Sequence, residues 1–344
     1  MGGRAPFRII VLTCRDPRTD FRLPLVEALR RRGHEVHYVR LGRRPVIAGP
    51  GDDGHVGSTS LTACIRHLRR VTAGKNFSNV YFVTTNLLFP TLILALRLLC
   101  SPGIWCFDMH DDLLYGTRGL VRLRARVRQA MLLRTCDLLV HAAPTLKELF
   151  PRSHHLGNAS SVTRLERIGK DFGRMLILAS IDERMDFALL DAAAARCPEV
   201  QFEIYGQVAP AVEPAMREVL FKRGNVHHHG PYVTEQLVPI LERFTVMLAP
   251  YRIGARLTRY LDPLRYYHAL NSGMEVITTD IPQARAYAER LHIVQSAEEV
   301  AQVLERLRTG GDSRAGRAPP VTWDQRAETL TDILADRVPH HGRL

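Results

Sequence analysis

The chain has 344 residues, 46% of them hydrophobic, and a formal net charge of +12. That apolar content is enough for two α/β domains with separate cores and excludes a largely disordered chain. The charge is lopsided: residues 1–160 carry 24 Lys and Arg against 11 Asp and Glu, and the remainder 23 against 24, so the whole excess lies in the first half.

In chain order, Phe7 to Thr13 reads as a buried parallel strand, Arg15 to Asp20 as a loop, and Arg22 to Arg32 as an amphipathic helix closed by Gly33. Glu35 to Val39 is the next strand. Further strands are expected at 80–84, 104–109 and 138–141, with helices near 60–72, 88–100, 119–135 and 144–149. The apolar run Leu87 to Leu99, broken by Pro90 and Arg97, is shorter than the roughly 20 residues needed to cross a bilayer and reads as a core helix. Met1 to Pro6 lead into the first strand without an apolar signal region, so no secretion is expected. Six scattered cysteines with no Cys-x-x-Cys pair read as reduced, mostly buried thiols of a cytoplasmic protein.

Ser160 to Gly173 reads as a polar linker, giving a first domain of 1–160, a second of 161–320 and a terminal helix and tail, 321–344. Across the second domain strands are expected at 174–180, 200–205, 226–229 and 245–249, and helices at 185–197, near 211–222 and at 235–243. Thr309 to Pro320 is rich in Gly, Pro and Arg, and Trp323 to Leu334 forms the last helix. Two consecutive doubly wound Rossmann-like units are what this alternation supports.

Trp105-Cys106-Phe107-Asp108-Met109-His110-Asp111-Asp112 runs off the end of an apolar strand. That places three carboxylates at the carboxyl edge of the first sheet, where open α/β folds hold ligands. Their crowding is expected to raise at least one pKa and so favour proton abstraction, with Asp111 chosen as general base. The competing reading is that Asp111 or Asp112 caps the following helix. Arg15, in the loop after the first strand, and Asp112 are acceptor-side candidates. The arginines at 30–32, 40, 43–44, 66, 69–70, 118, 122, 124, 126 and 128 are either solvated helix faces or a face suited to anionic lipid head groups, at about 1 kcal/mol per basic side chain. No aromatic-rich or helix-turn-helix pattern accompanies them, so nucleic acid is not an expected partner.

The most informative stretch is Leu248-Ala249-Pro250-Tyr251 followed by Asp262-Pro263-Leu264-Arg265-Tyr266-Tyr267-His268-Ala269-Leu270-Asn271-Ser272-Gly273 and Glu275-Val276-Ile277-Thr278-Thr279. It reads as a buried strand, a loop, a short helix opening after a proline, a glycine stop and a second buried strand. A helix start with a fixed cation at Arg265 fits an anionic ligand such as a diphosphate. His227-His228-His229 cannot converge on one metal ion, because consecutive strand residues point to opposite faces. Absence of Asp-x-Asp, Gly-x-Gly-x-x-Gly and phosphate-loop lysine motifs argues against metal-dependent sugar transfer, dehydrogenase and NTPase readings; no metal or cofactor is expected.

This stretch resembles the nucleotide-sugar loop of GT-B glycosyltransferases, usually worded Pro-x-Lys-x-x-Glu-Tyr-Leu-Ala-x-Gly-x-Pro-Val-Val. Arg265 stands for the lysine, His268 for the glutamate and Glu275-Val276-Ile277 for Pro-Val-Val, while Tyr260 stands where retaining relatives carry an earlier glutamate. The resemblance implies a GT-B fold, two doubly wound domains facing across a cleft, with the final helix crossing back to the first domain. It also implies a donor linked to UDP or GDP, held by Arg184, Tyr232, Tyr251, Pro263, Leu264, Arg265 and His268. Arg184 has a surface salt bridge to Glu183 or Asp186 as its alternative, and Tyr232 and Tyr251 have plain packing. The order of motifs is similar to that of the inverting glucuronosyltransferase of xanthan biosynthesis, whose catalytic aspartate matches Asp111. The expected function is therefore metal-independent, inverting sugar transfer to a glycan, lipid-linked saccharide or secondary-metabolite hydroxyl. The expected place is the cytoplasm, peripheral on the inner face of the plasma membrane. A nucleotide-sugar 2-epimerase and a non-catalytic sugar-nucleotide-binding subunit are the alternatives.

Overall fold

The computed structural model describes residues 6–15, 20, 22–41, 46–48, 57–58, 61–73, 77–84, 90–166, 171–214, 222–317 and 319–337. Most of the helix expected near 211–222 lies outside them. The chain divides into two units, Met1–Gly157 with Trp323–Leu344, and Asn158–Thr322. The segment read as a linker from Ser160 thus begins inside the second unit, where Ser160 bridges to Thr322.

The first unit is built on an eight-stranded sheet. Its strands are β1 (Phe7–Thr13), β2 (Glu35–Arg40), β3 (Val46–Ala48), β4 (Gly57–Ser58), β5 (Ser78–Thr84), β6 (Ile104–Met109), β7 (Leu138–His141) and β8 (His154–His155), in the order β4-β3-β2-β1-β5-β6-β7-β8. Pairing is parallel from β2 to β8, and β3 and β4 add an antiparallel edge that the sequence pattern did not suggest. Buried Ile9, Ile10, Val11 and Leu12 make β1 apolar on both faces, as a parallel strand covered by helices requires. The helix Pro90–Leu99 departs from its reading as a core helix. It buries Pro90, Ile93 and Leu96 but exposes Leu94, Leu98 and Leu99.

One buried ion pair ties this unit together. The Arg22 guanidinium donates to both carboxylate oxygens of Asp108, at 2.9 and 3.0 Å, and to the carbonyls of Leu156 and Gly157. It also lies 5.6 Å from the ring centroid of Trp323, the first residue of the terminal helix Trp323–Ala335. Arg22 is 1% exposed and Asp108 0%. Neither charge has water to fall back on, so each depends on the other.

The second unit has six parallel strands: β9 (Arg174–Leu178), β10 (Gln201–Tyr205), β11 (Val226–His228), β12 (Val246–Ala249), β13 (Glu275–Thr279) and β14 (His292–Val294), ordered β11-β10-β9-β12-β13-β14. Alternate residues feed opposite layers. Met175 and Ile177 of β9 join the core beneath the helices Phe187–Arg196 and Ala297–Arg308, and Leu176 and Leu178 join the core beneath Leu237–Glu242 and Leu264–Ser272. Gly206, at φ 148°, sits so close to β9 that a Cβ there would lie 1.5 Å from the carbonyl oxygen of Ala179. That close approach draws together the loops leaving β9 and β10.

Arg22→Met is expected to destabilise the protein by about 3–5 kcal/mol, because it leaves the buried Asp108 charge without its guanidinium and with His110 alone beside it. Arg22→Met with Asp108→Leu should recover much of the loss. Arg31→Ala, which removes an exposed pair with Asp324, should cost at most about 1 kcal/mol. Urea unfolding reads all three, and equal losses for Arg22→Met and Arg31→Ala would contradict the central role given to the buried pair.

Candidate functional site

In the second unit, the stretch singled out from sequence forms β12, the helix Leu264–Ser272 and β13. Gly273 ends the helix at φ 82°, the left-handed conformation that closes helices and favours glycine. Its start is fixed by Asp262, which is 5% exposed. The Asp262 carboxylate accepts from the Asn158 N–H at 2.6 Å, the Tyr267 hydroxyl at 2.7 Å and Gln283 Nε2 at 2.7 Å. The Asp262 carbonyl accepts from Asn158 Nδ2 at 2.8 Å. Pro263 occupies the N-cap position with no side-chain cap. The first N–H groups of the helix, from Leu264 and Arg265, therefore have no capping side chain among the described residues and carry the positive end of the helix dipole.

Arg265 sits at this helix start. Its guanidinium has no hydrogen bond or ion pair among the described residues, and it lies over the Tyr251 ring, 4.9 Å from the centroid. Tyr251 is buried, with its edge against Tyr266 at 6.1 Å, and its hydroxyl has no hydrogen-bond partner among the described residues. Its backbone is clamped by Thr279 Oγ1, which accepts from the Tyr251 N–H and donates to its carbonyl. Burial pushes the Tyr251 phenol up, against the opposing pull of Arg265. Tyr251 thus forms the floor under the Arg265 cation and packs into the core, the alternative left open for it.

Arg184 is brought to the same place but is not a free cation. It pairs with Asp182, which accepts from Nε and Nη2 of Arg184; Glu183 and Asp186 were the partners named in the alternative reading. Asp186 instead caps the helix Phe187–Arg196 through the Leu189 N–H. Burial would raise the Asp182 carboxyl, but its bonds to Arg184 and the nearby Arg265 charge bring it below the usual range. Hydrogen bonds from the Asp186 N–H to the Pro250 carbonyl and from the Arg252 N–H to the Arg184 carbonyl lace the β9 loop to the β12 loop.

Tyr232 lines a cavity of about 250 Å³ with Tyr205, His229, Gln236 and Arg243. Tyr205 and His229 are stacked at 4.4 Å and 13°, and Arg243 donates to the Tyr205 hydroxyl. Burial raises the Tyr232 phenol and the Arg265 charge opposes it, so the cavity and the helix start are electrostatic neighbours. Tyr205, Gln236 and Arg243 were not singled out from sequence, where nothing separates them from packing and surface residues. The three histidines of the triplet have separate partners: Gln201 for His227, the Gly206 carbonyl for His228 and Glu203 for His229.

His268 lies one turn along the helix, its Nδ1 2.7 Å from Ser160 Oγ. Burial drives its pKa down to about 4, so the ring is neutral at pH 7. Glu275 replaces the proline of the resembled motif for a structural reason. Its carboxylate accepts from the Ser313 hydroxyl and from the N–H groups of Arg314 and Ala315, and it pairs with His292. Burial opposes ionisation, but these bonds outweigh it and take the carboxyl to about 2.

In the first unit, the carboxyl ends of β1, β5 and β6 lie side by side, with Thr84 opposite Asp108 in register. Asp111 follows β6, exposed, and its carboxylate has no hydrogen bond or ion pair among the described residues. Asp112 is buried and accepts from the Leu114 N–H, closing a turn rather than capping a helix; the next helix, Gly119–Thr135, begins at Gly119. Arg15 follows β1, half-buried, with its N–H on Thr13 Oγ1. The expected upward pKa shift fails at Asp108. Burial alone would raise that carboxyl, but the charges of Arg22 and His110, whose Nε2 is 2.7 Å away, overcome it and hold it at about 2.

Protonation of His268 and of His141, which burial also lowers to about 4, links stability to pH. Both resist protons when folded and accept them near 6.5 when unfolded. Their contribution is therefore present above about pH 6.5 and lost as pH falls towards 4. Unfolding free energy should drop on the order of 1–2 kcal/mol per histidine between pH 7 and 5. His268→Gln should flatten part of that slope, and an unchanged slope would contradict the assignment.

No protein-family model and no curated protein matches the chain. Solved structures do resemble it. The sucrose-phosphate synthase from Thermosynechococcus elongatus has a TM-score of 0.62 at 17% identity, covering 95% of this chain and 94% of the other. A putative UDP-N-acetylglucosamine 2-epimerase from Listeria monocytogenes has 0.58 at 13%, covering 98% of each. A variant of S. aureus TarM, in complex with fondaparinux, α-GlcNAc-glycerol and UDP, has 0.54 at 12%; 84% of this chain is covered and it spans 62% of TarM. At these identities the likeness is one of architecture, and the architecture is the GT-B fold with its two Rossmann-like α/β units.

Proposed function

We propose that the protein is a glycosyltransferase that moves a sugar from a nucleoside diphosphate donor, UDP- or GDP-linked, to a hydroxyl of a glycan, lipid-linked saccharide or other secondary-metabolite acceptor. The observation that carries this is the helix start at Pro263, Leu264 and Arg265, with no side-chain cap and a guanidinium that lies over Tyr251 and has no ion pair among the described residues. Such a start binds phosphate oxygens through N–H groups, the dipole and a fixed cation together. Arg184, already balanced by Asp182, is a weaker contributor. The cavity at Tyr232 suits a planar base against its aromatic lining, and neutral His268 suits a hydrogen bond to a ribose hydroxyl.

In the proposed reaction Asp111 takes the proton of the acceptor hydroxyl as its oxygen bonds to the anomeric carbon. The bond from that carbon to the diphosphate breaks, and the charge passes to the departing nucleoside diphosphate. Arg265 and the helix start stabilise that charge where it develops, which requires neither metal nor cofactor. The configuration at the anomeric carbon inverts. Arg15 and Asp112 belong to the acceptor side. The basic first half is assigned to an anionic membrane surface, where the protein would sit peripherally and meet a lipid-linked acceptor.

A 2-epimerase reading is supported by the likeness to the Listeria structure, and a non-catalytic binding subunit by Tyr260 and His268 in place of glutamates. Release of nucleoside diphosphate dependent on acceptor supports transfer, interconversion of the free sugar nucleotide supports epimerisation, and ligand-induced stabilisation without turnover supports a binding subunit.

Arg265→Ala should weaken nucleoside diphosphate binding by about 1.5–3 kcal/mol, the range of a charged hydrogen bond, with Arg265→Lys retaining part. Unchanged affinity by calorimetry removes the arginine from the site. Asp111→Asn should leave donor binding intact and slow transfer about 10²- to 10⁴-fold. A larger loss at Asp112→Asn moves the base by one residue, and wild-type transfer by Asp111→Asn rules out the base-assisted mechanism.

A further inference from the structure

We infer that the helix Gly119–Thr135 is a membrane-docking element that lies in the head-group region of an anionic bilayer, seated by Leu120, Leu123 and Val127. This deepens the membrane-surface reading of the basic half and rests on it. Among the described residues eleven large hydrophobic side chains are exposed, and seven of them lie on this helix and on Pro90–Leu99, which packs against it. Leu120 is 72% exposed, Leu123 58% and Val127 53%. At about 100° per residue these three fall within one narrow stripe of the helix surface. Arg124 and Arg128 flank it on one side and Arg126 on the other, all three exposed.

The charge on this helix is of one sign. Residues 119–135 hold five arginines and no acidic residue. None of these guanidinium groups has a hydrogen bond or ion pair among the described residues, and Arg118 adds a cation at the N-cap. Cations at a helix start oppose its dipole, so this end is weakened by its own sequence unless external anions offset it. Stranded arginines on both sides of an apolar stripe match a surface of lipid phosphates over hydrocarbon. The long stems of arginine lie along the apolar boundary while the guanidinium reaches the phosphates. A second copy of the chain would present the same uncompensated positive charge to itself.

The test is sedimentation and fluorescence of the full chain with phosphatidylcholine vesicles, with or without phosphatidylglycerol. Wild type should bind the anionic vesicles only, and binding should fall as salt rises. Leu120→Ser with Leu123→Ser and Val127→Ser should weaken it at least about tenfold, and each of Arg124→Gln, Arg126→Gln and Arg128→Gln about fivefold, with a shallower salt dependence. Thermal unfolding should be unchanged, since these side chains are exposed. Leu123→Trp should shift its emission to the blue on anionic vesicles, read as a difference from wild type, whose buried Trp105 and Trp323 emit in the blue with and without vesicles. No wild-type binding overturns the membrane reading itself. Wild-type binding that survives the serine and glutamine variants, or lacks the blue shift, overturns the assignment to this helix. A dimer in free solution that the serine variant dissociates gives the stripe to a second copy instead.

Discussion

A buried carboxylate cannot be left unsatisfied, and in the second unit that constraint falls on Asp262. Its oxygens and carbonyl gather the Asn158 amide and side chain, the Tyr267 hydroxyl and Gln283. Those partners come from the start of the unit, from within the helix and from the segment after β13, so the position of Pro263 is determined from three directions. The helix start is therefore rigid before any ligand arrives. A preorganised set of donors loses little on binding, and such donors are worth most where charge develops during a reaction. Thr279 and Tyr251 extend the same logic to Arg265, because the clamped tyrosine backbone fixes the ring on which the guanidinium rests.

The two units solve the problem of buried charge in different ways. In the first, Arg22 and Asp108 neutralise each other and draw the carbonyls after β8 and the Trp323 ring into one cluster. Asp111, three residues on, stays exposed and has no partner among the described residues. A structural carboxylate and a chemically available one thus leave the same strand, separated by burial and by the reach of one arginine. In the second unit Asp182 takes up the charge of Arg184, while Arg265 has no carboxylate partner among the described residues.

Much of the architecture was legible because parallel strands buried on both faces are apolar throughout. β1, β6 and β7 have the bounds expected from the sequence, and the glycine stop at Gly273 is where the motif placed it. The helix Ala297–Arg308 escaped notice although its signal is present, a box in which Ser296 Oγ accepts from the Glu299 N–H and Glu299 accepts from Gln295. The Arg22 to Asp108 bond joins residues 86 positions apart, and no local pattern announces such a pair. The acidic run at 108–112 misled for the same reason: proximity in sequence suggested mutual repulsion, while the partner that decides the charge of Asp108 comes from the first helix. Departures from the resembled motif are legible only with the fold in hand, as Glu275 shows by holding Ser313 and Arg314.

The proposed function requires a diphosphate held by protein groups alone. Calorimetric titration of the wild-type protein with UDP, GDP, UMP and uridine, in the presence and absence of EDTA, tests that most directly. A nucleoside diphosphate that binds well ahead of the monophosphate and nucleoside, with an affinity indifferent to EDTA, is the predicted result. Equal affinity for monophosphate and diphosphate, or binding that collapses when divalent cations are removed, would contradict it.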